Sequence, residues 1–153
     1  MSYQLPVNVR WMTSKDMPQV LEIERQSFER PWSREDFQAC LFNKGGLGRI
    51  GMVAALGCHV YGFMIYELHK SMLRVLTLAV AQQVQYQGVG SQMVDKLIDK
   101  LSDQRRFEII TELRESNLGA QLFLQRQGFN WLTTLHGYYD DTAEDAYVFQ
   151  YVL

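Results

Sequence analysis

The stretch VQYQGVGSQM (84–93) sets Gly88 and Gly90 where an apolar run gives way to a helical pattern. Glycine costs a helix interior roughly 1 kcal/mol against alanine, so a pair of them at a helix start needs a reason. A helix N-terminus has free N–H groups and the positive end of the dipole, and residues without a Cβ let an anion come close to the backbone. Gln85 to Ser91 are thus the first candidate site, an anion cradle. A phosphate loop of the NTPase type needs Gly-Lys-Ser/Thr, but Ser91 follows Gly90 directly with no lysine before it. The dinucleotide fingerprint needs a third glycine at 93, where the chain has Met93.

The second candidate is Glu112, a carboxylate in the otherwise mostly apolar run FEIITEL (107–113). It has two readings. One is an ion pair with Arg114, two residues on and so on the same face of a strand. The other is a general base, acting directly or through water. Asn117 stands where a helix N-cap belongs. Tyr138 and Tyr139 open a polar loop, GYYDDTAED (137–145), whose Asp140, Asp141, Glu144 and Asp145 either attract a positively charged group or form a solvated charge run. His59, His69 and His136 show no metal-ligand spacing, so no metal is expected.

The elements that would position these residues can be read from periodicity. VNVRWM (7–12) alternates like a strand. Thr13 or Ser14 then caps a helix carrying Val20, Leu21, Ile23, Glu24 and Phe28 at helical spacing, which Pro31 should break. Ser33, with Asp36 three residues on, starts a short second helix over 33–42. KGGLG (44–48) reads as a loop. RIGMVAAL (49–56), VYGFMIYEL (60–68) and MLRVLTLAV (72–80) read as an antiparallel meander ending in a central strand. Val89, Met93, Val94, Leu97, Ile98 and Leu101 form one apolar stripe, with Asp95, Lys96, Asp99 and Lys100 facing water. The following strand at 107–113 implies a right-handed crossover and a parallel pair. A helix over 118–127 ends at Gly128, and WLTTLH (131–136) and AYVFQYVL (146–153) complete an α/β chain on a mixed sheet.

Bulk properties narrow the class. The 153 residues, 47% of them hydrophobic, suit one domain over 1–153 with a full core, without repeat or linker. A net charge of -2 is unlike that of a nucleic-acid binder, and no apolar run approaches the roughly 20 residues of a membrane span. The N-terminus lacks the pattern of a signal peptide. Cys40 and Cys58 form no CxxC motif and fit a reducing, cytoplasmic setting.

Gln85, Gly88 and Gly90 match the pattern Q/R-x-x-G-x-G/A, and the stretch resembles the acetyl-CoA pyrophosphate loop of the GNAT N-acetyltransferases. The order of elements from about Val9 to Leu153 is similar to that family's. FERPWS (28–33), TELRESN (111–117), AQLFLQRQGF (120–129) and GYYDDTAEDAYVFQ (137–150) resemble its RimI-type protein N-terminal acetyltransferases. The resemblance implies an α+β fold with a mixed sheet of about seven strands and about four helices, its central parallel strands splayed apart. It implies acetyl-CoA as co-substrate and, as acceptor, the α-amine of a protein N-terminus, of the ribosomal-protein alanine type. Monomer or weak dimer is expected, with no nucleic acid or membrane as partner. Under it, the backbone at Leu78, Ala79 and Val80 holds the pantetheine arm, with a bulge at Ala79–Val80 causing the splay. Gln85, Tyr86, Gln87, Gly88, Val89, Gly90 and Ser91 hold the pyrophosphate, and Asn117 and Phe123 line the CoA arm. Glu112 becomes the base, and Tyr138 and Tyr139 bind substrate or supply a proton. The family's usual acid is a tyrosine seven residues after the asparagine; here that position is Leu124. Tyr138, Tyr139 or Tyr147 replaces it, or the thiolate leaves unprotonated, its pKa being near 8.5.

Overall fold

The apolar runs become seven strands of one mixed sheet in the order β1-β2-β3-β4-β5-β7-β6. A computed structural model describes residues 4–42 and 48–153. Its elements are β1 (Asn8–Trp11), α1 (Met17–Ser27), α2 (Arg34–Phe42), β2 (Gly48–Leu56), β3 (His59–Leu68), β4 (Met72–Val80), α3 (Val89–Ile98), β5 (Glu108–Arg114), α4 (Leu118–Arg126), β6 (Asn130–Leu135) and β7 (Ala146–Val152). The loop expected at 44–47 lies outside the described residues, and Gly48 already belongs to β2.

Local sequence explains the helix ends. At the start of α2, the Asp36 amide donates to Ser33 Oγ (3.2 Å) and the Ser33 amide to the Asp36 carboxylate (2.9 Å), the expected capping box. Before α1 a 3-10 turn (Ser14–Asp16) intervenes, with Asp16 held by two hydrogen bonds from Arg10 of β1. Helix α1 stops at Ser27, not at Pro31: Phe28 is already extended, at φ -131° and ψ 142°. The Ser27 hydroxyl donates to the Ile23 carbonyl (2.7 Å), satisfying one of the last-turn acceptors.

Strand β3 is buried on both faces. Phe37 of α2 meets Phe63 edge to face at 5.7 Å, so Phe63, Ile65 and Glu67 look toward α1 and α2. A Cβ on Gly62 would lie 2.9 Å from Met93 Cε and 3.2 Å from Val89 Cγ1, so the other face supports α3. The stripe of α3 lies inward as expected, with Met93, Val94 and Leu97 buried and Asp95, Lys96, Asp99 and Lys100 exposed. Fully burying each such apolar side chain contributes about 1.5–3 kcal/mol.

The sheet forks at its centre. β4 and β5 pair in parallel through four residue pairs only, from Met72 with Glu108 to Val75 with Thr111. Beyond them β4 stays paired with β3 as far as Val80, and β5 with β7 as far as Arg114. The β3–β4 register places Tyr66 opposite Val75 and Ile65 opposite Thr77, so Leu76 is the extra residue of a β-bulge. The bulge therefore lies at Leu76, three residues before the expected Ala79–Val80, and it coincides with the end of the parallel ladder. The Thr111 hydroxyl donates to the Val75 carbonyl (3.1 Å), satisfying it at the point of divergence.

Candidate active site

Past the fork, the backbone groups of Leu76–Val80 that point toward β5 have no strand to pair with. Leu78, Ala79 and Val80 thus offer a run of free main-chain donors and acceptors along one wall of the cleft. The Val80 carbonyl is the exception, since it accepts from Gln85 Nε2 at 2.8 Å.

The glycine stretch follows a 3-10 turn (Gln82–Val84). The Gln85 amide bonds the Gln82 carbonyl, and its side chain bonds Val80. Gln85 is therefore an anchor of the loop and not, as expected, one of its anion donors. The amides from Tyr86 to Ser91 meet no acceptor among the described residues. Gly88 caps α3 with a left-handed φ of 80°, and Tyr86 is left-handed too at 63° while 94% exposed. A non-glycine residue held there is strained, and left-handed turns of this kind gather successive N–H groups into a concavity for an anion.

Gly90 has a packing reason besides the one expected. A Cβ on it would come within 3.0 Å of Phe123 Cζ and 3.1 Å of Cε1. The ring of α4 thus needs the glycine, whatever binds at the amides. Gln127, at the C-cap of α4, also donates to Ser91 Oγ (2.8 Å), so α4 and its cap brace this loop twice. Asn117 caps α4 by accepting from the Ala120 amide (3.2 Å), which leaves its side-chain NH₂ for a ligand.

Glu112 is not paired with Arg114. Both its oxygens accept from Arg74 Nε, at 3.1 and 3.2 Å. Arg74 also reaches the buried Glu67, which takes Arg49 on its other side at 3.1 Å and His69 at 3.0 Å. The register that sets Arg49 beside Glu67 and Glu67 beside Arg74 builds a row of alternating charges across β2, β3, β4 and β5. Burial works to raise the Glu67 carboxyl, but hydrogen bonds from His69 and Arg49 and the arginine charges outweigh it and hold it low.

Arg114 turns instead to the β6–β7 loop. It donates to both oxygens of Asp141 (3.0 and 2.8 Å) and lies 4.0 Å above the Tyr139 ring. Arg30, from the segment after α1, meets Asp141 at 2.7 Å. The Arg114 hydrogen bonds bring the Asp141 carboxyl down to about 2. Glu144 also pairs with Arg114, and Asp145 accepts from the Gly137 amide. Much of the acidic run is thus neutralised inside the protein, and its use in attracting a cation is correspondingly reduced.

Arg30, Arg114, Asp141 and Glu144 line a cleft of about 460 Å³ together with Glu24, Phe28, Trp32, Leu76, Thr77 and Tyr139, while Glu112 and Arg74 are not among its lining residues. Tyr138, 3.5 Å from Arg74, and Tyr139 stand edge to face beside it. Burial raises the Tyr139 hydroxyl pKa. Tyr147 pairs with Leu113 and so lies on the α3–α4 face, away from Glu112. Leu124 is only 7% exposed and belongs to the core. Among the described residues no group of three or more His, Cys, Asp and Glu could hold a metal, and no helix is long and apolar enough to cross a membrane.

Sequence reasoning missed Arg74, the Arg49–Glu67 pair and the chemistry of Glu24. The signal was there: single charges in three neighbouring apolar strands, and a glutamate on the apolar stripe of α1.

A helix N-terminus with free amides, leading along an unpaired strand edge into a cleft with carboxylates, is the layout of a transferase that takes its group from a phosphate-bearing carrier. The model of the acetyltransferase (GNAT) family matches residues 17–129, and the chain belongs to that family. It is an N-acetyltransferase, and acetyl-CoA is the family's acetyl donor. Among curated relatives, the [Ribosomal protein bS18]-alanine N-acetyltransferase of Escherichia coli (strain K12) is 28% identical over 145 residues, 90% of this chain and 91% of that protein. The enzyme of the same name from Salmonella typhimurium is 25% identical over 139 residues, again 90% and 91%. The crystal structure of the ribosomal-protein-S18-alanine N-acetyltransferase from Escherichia coli superposes with a TM-score of 0.81 at 23% identity, covering 96% of this chain and 94% of that one; the likeness shows the fold.

Proposed function

We propose that the protein transfers the acetyl group of acetyl-CoA to the free α-amine of a protein N-terminus. The observation that carries this reading is the fork between β4 and β5, which leaves Leu76–Val80 unpaired on that side, with Leu76 and Thr77 lining the cleft beside Arg30, Tyr139 and Asp141 and the free amides of 86–91 following the strand's far end. In this reading the amides of Tyr86 to Ser91 take the pyrophosphate, with Gln85 holding their loop in place. The backbone at Leu78, Ala79 and Val80, with Asn117 and Phe123, takes the pantetheine arm. Acetyl-CoA supplies an activated thioester; the chain's own groups orient the amine and move its protons. Glu112 is the base, fixed by Arg74, and Tyr138 and Tyr139 hold the incoming backbone.

A free α-amine has a pKa near 7.7–8.0, so its deprotonation asks little of a base at neutral pH, whereas a lysine near 10.4 asks more. The relatives are named for the N-terminal alanine of ribosomal protein bS18, which makes a ribosomal N-terminus beginning with alanine the first substrate to try. The catalytic unit is taken as the whole of 1–153, working in the cytoplasm as a monomer or weak dimer. Leu124 leaves the thiolate to depart as the anion or to take a proton from Tyr138 or Tyr139.

Thiol release measured against a panel of peptides, polyamines and aminoglycosides tests the assignment. Peptides with free N-termini should be acetylated with the highest kcat/KM. Preference for a polyamine would move the assignment to small amines, and acetyl-CoA binding without release on any amine would make the protein a sensor. Glu112→Gln should lower kcat/KM by about 10²–10⁴-fold, most strongly at low pH. Rates unchanged across the pH range would remove Glu112 as base.

A further inference from the structure

Glu24 is a buried carboxylate that the reaction above does not use and that no arginine holds among the described residues. It lies in the last turn of α1, on the apolar stripe with Val20 and Ile23, and is 2% exposed. Nonetheless it lines the cleft, together with Ser27, Phe28 and Trp32 from its own segment and the bulge residues Leu76 and Thr77 from β4. Its carboxylate thus stands at the mouth of the fork, where the acetyl donor and the amine must meet.

Its partnering is incomplete. The Trp32 amide donates to one oxygen at a long 3.4 Å, and no cation lies within salt-bridge distance among the described residues. A carboxylate accepts about four hydrogen bonds. Among the described residues, the other buried carboxylates each have an arginine: Asp16 has Arg10, and Glu67 has Arg49 and Arg74. The charged groups around Glu24 are already committed. Arg30 and Arg114 hold Asp141, Arg114 also holds Glu144, and Arg74 below holds Glu67 and Glu112. Glu29 adds a second acidic group to the same wall, and Tyr139 faces it across the cleft. An ionised carboxylate this deep, with one weak donor, is a costly arrangement that an incoming cation would relieve.

We propose that Glu24 receives the substrate's ammonium group in the cleft and takes its first proton, leaving the second for Glu112. The step balances: R–NH₃⁺ and the Glu24 carboxylate become R–NH₂ and the Glu24 carboxylic acid. The nitrogen lone pair then forms the C–N bond as the C–S bond breaks, the sulfur keeps that bond's electrons, and the remaining excess proton on nitrogen passes to Glu112. This deepens the reading above and rests on it.

Proton matching supports the arrangement. Burial pushes the Glu24 carboxyl up to about 7, against a smaller downward pull from the Trp32 amide. That is within about one unit of an α-amine, so the transfer is nearly balanced. From a lysine ammonium the same transfer runs uphill by about three units, roughly a thousandfold in equilibrium. The gap between the two amines is the same for any acceptor, so what the raised Glu24 carboxyl adds is a nearly level transfer from the α-amine itself.

The test uses the full chain, wild type and Glu24→Gln, with an alanine-initiated peptide. Acetyl-CoA affinity by calorimetry should stay within about twofold. At pH 7 the variant should lose roughly tenfold or more in kcat/KM, the gap closing by about pH 9.5, where the amine is already neutral in solution. Profiles of identical shape would overturn the proposal and leave Glu24 a structural partner of Trp32. A second measurement needs no variant: ¹³C carboxyl titration of Glu24 in the wild type with CoA, with and without peptide. Its midpoint should fall when the peptide binds, and a midpoint that ignores the peptide overturns the proposal even if the variant fails to fold. Should only small amines be acetylated, the N-terminal reading fails by itself, and the same pH series with that amine still decides the role of Glu24.

Discussion

Glu24 ties catalysis to stability through one proton. Its carboxyl goes from the ordinary 4.5 to about 7 on folding. Below 4.5 the folded and unfolded chains both hold the proton and the group is neutral to stability. Between 4.5 and 7 the unfolded chain releases it while the folded chain keeps it, so stability falls as pH rises. Above 7 the loss is complete, on the order of 3 kcal/mol. Glu24→Gln keeps an acceptor for the Trp32 amide and removes the buried charge. It should match the wild type at pH 4 and melt on the order of 5–10 °C higher at pH 8. Thermal unfolding at the two pH values checks this. A variant that melts lower at pH 8 would show that the Trp32 contact outweighs burial. Raising stability while lowering activity is the signature of a strained functional group. Glu112 differs: its charge is matched by Arg74, and its removal should register in the rate.

At the scale of elements, the approach of α3 to the sheet sets the cradle, and Gly62 sets that approach. A Cβ there would lie 2.9 Å from Met93, 3.2 Å from Val89 and 3.1 Å from the Ala79 carbonyl, which belongs to the backbone and cannot turn aside. Gly62→Ala should cost about 1–3 kcal/mol in denaturant unfolding by overpacking. Because Val89 and Ala79 flank the proposed cofactor wall, it should weaken acetyl-CoA binding as well, which calorimetry reads. The stripe of α3, the capping box of α2 and the three-strand meander were legible because each depends on residues near in sequence. The bulge at Leu76 was not, since it arises from the register of β4 against β3. Nor was the Arg74–Glu112 pair, which joins residues 38 apart in sequence. Pro31 misled for a related reason: it forbids helix beyond a point, but Phe28 had already left the helix. The glycine signature fell on the loop with free amides and missed the packing reason for Gly90, because Phe123 lies a whole βα unit away.

At the scale of the molecule, the sheet consists of two halves, β1–β4 and β5–β7, which share four residue pairs. The cofactor reading places acetyl-CoA between them, on the free backbone of Leu78–Val80 and the amides of Tyr86–Ser91. Binding to the folded state alone adds about 2.7 kcal/mol at a ligand concentration of 100 Kd. Acetyl-CoA should therefore raise the melting temperature, and hydrogen exchange should slow at 76–80 and 86–91 before it slows elsewhere. Protection spread evenly over the chain would mean that the ligand does not sit in the fork.

Thr111 is the last stitch of that seam. Its hydroxyl closes on the Val75 carbonyl just where the two strands part, and it faces neither the cradle nor the acidic row. Cutting this stitch with Thr111→Val keeps the volume and leaves a buried carbonyl unmet, about 1–3 kcal/mol. The opening would then unzip toward Arg74 and change width along the donor's path. A residue remote from every reacting atom thus becomes a dial on donor affinity. In the variant, the Kd for acetyl-CoA should rise several-fold while the rate at saturating donor stays near that of the wild type.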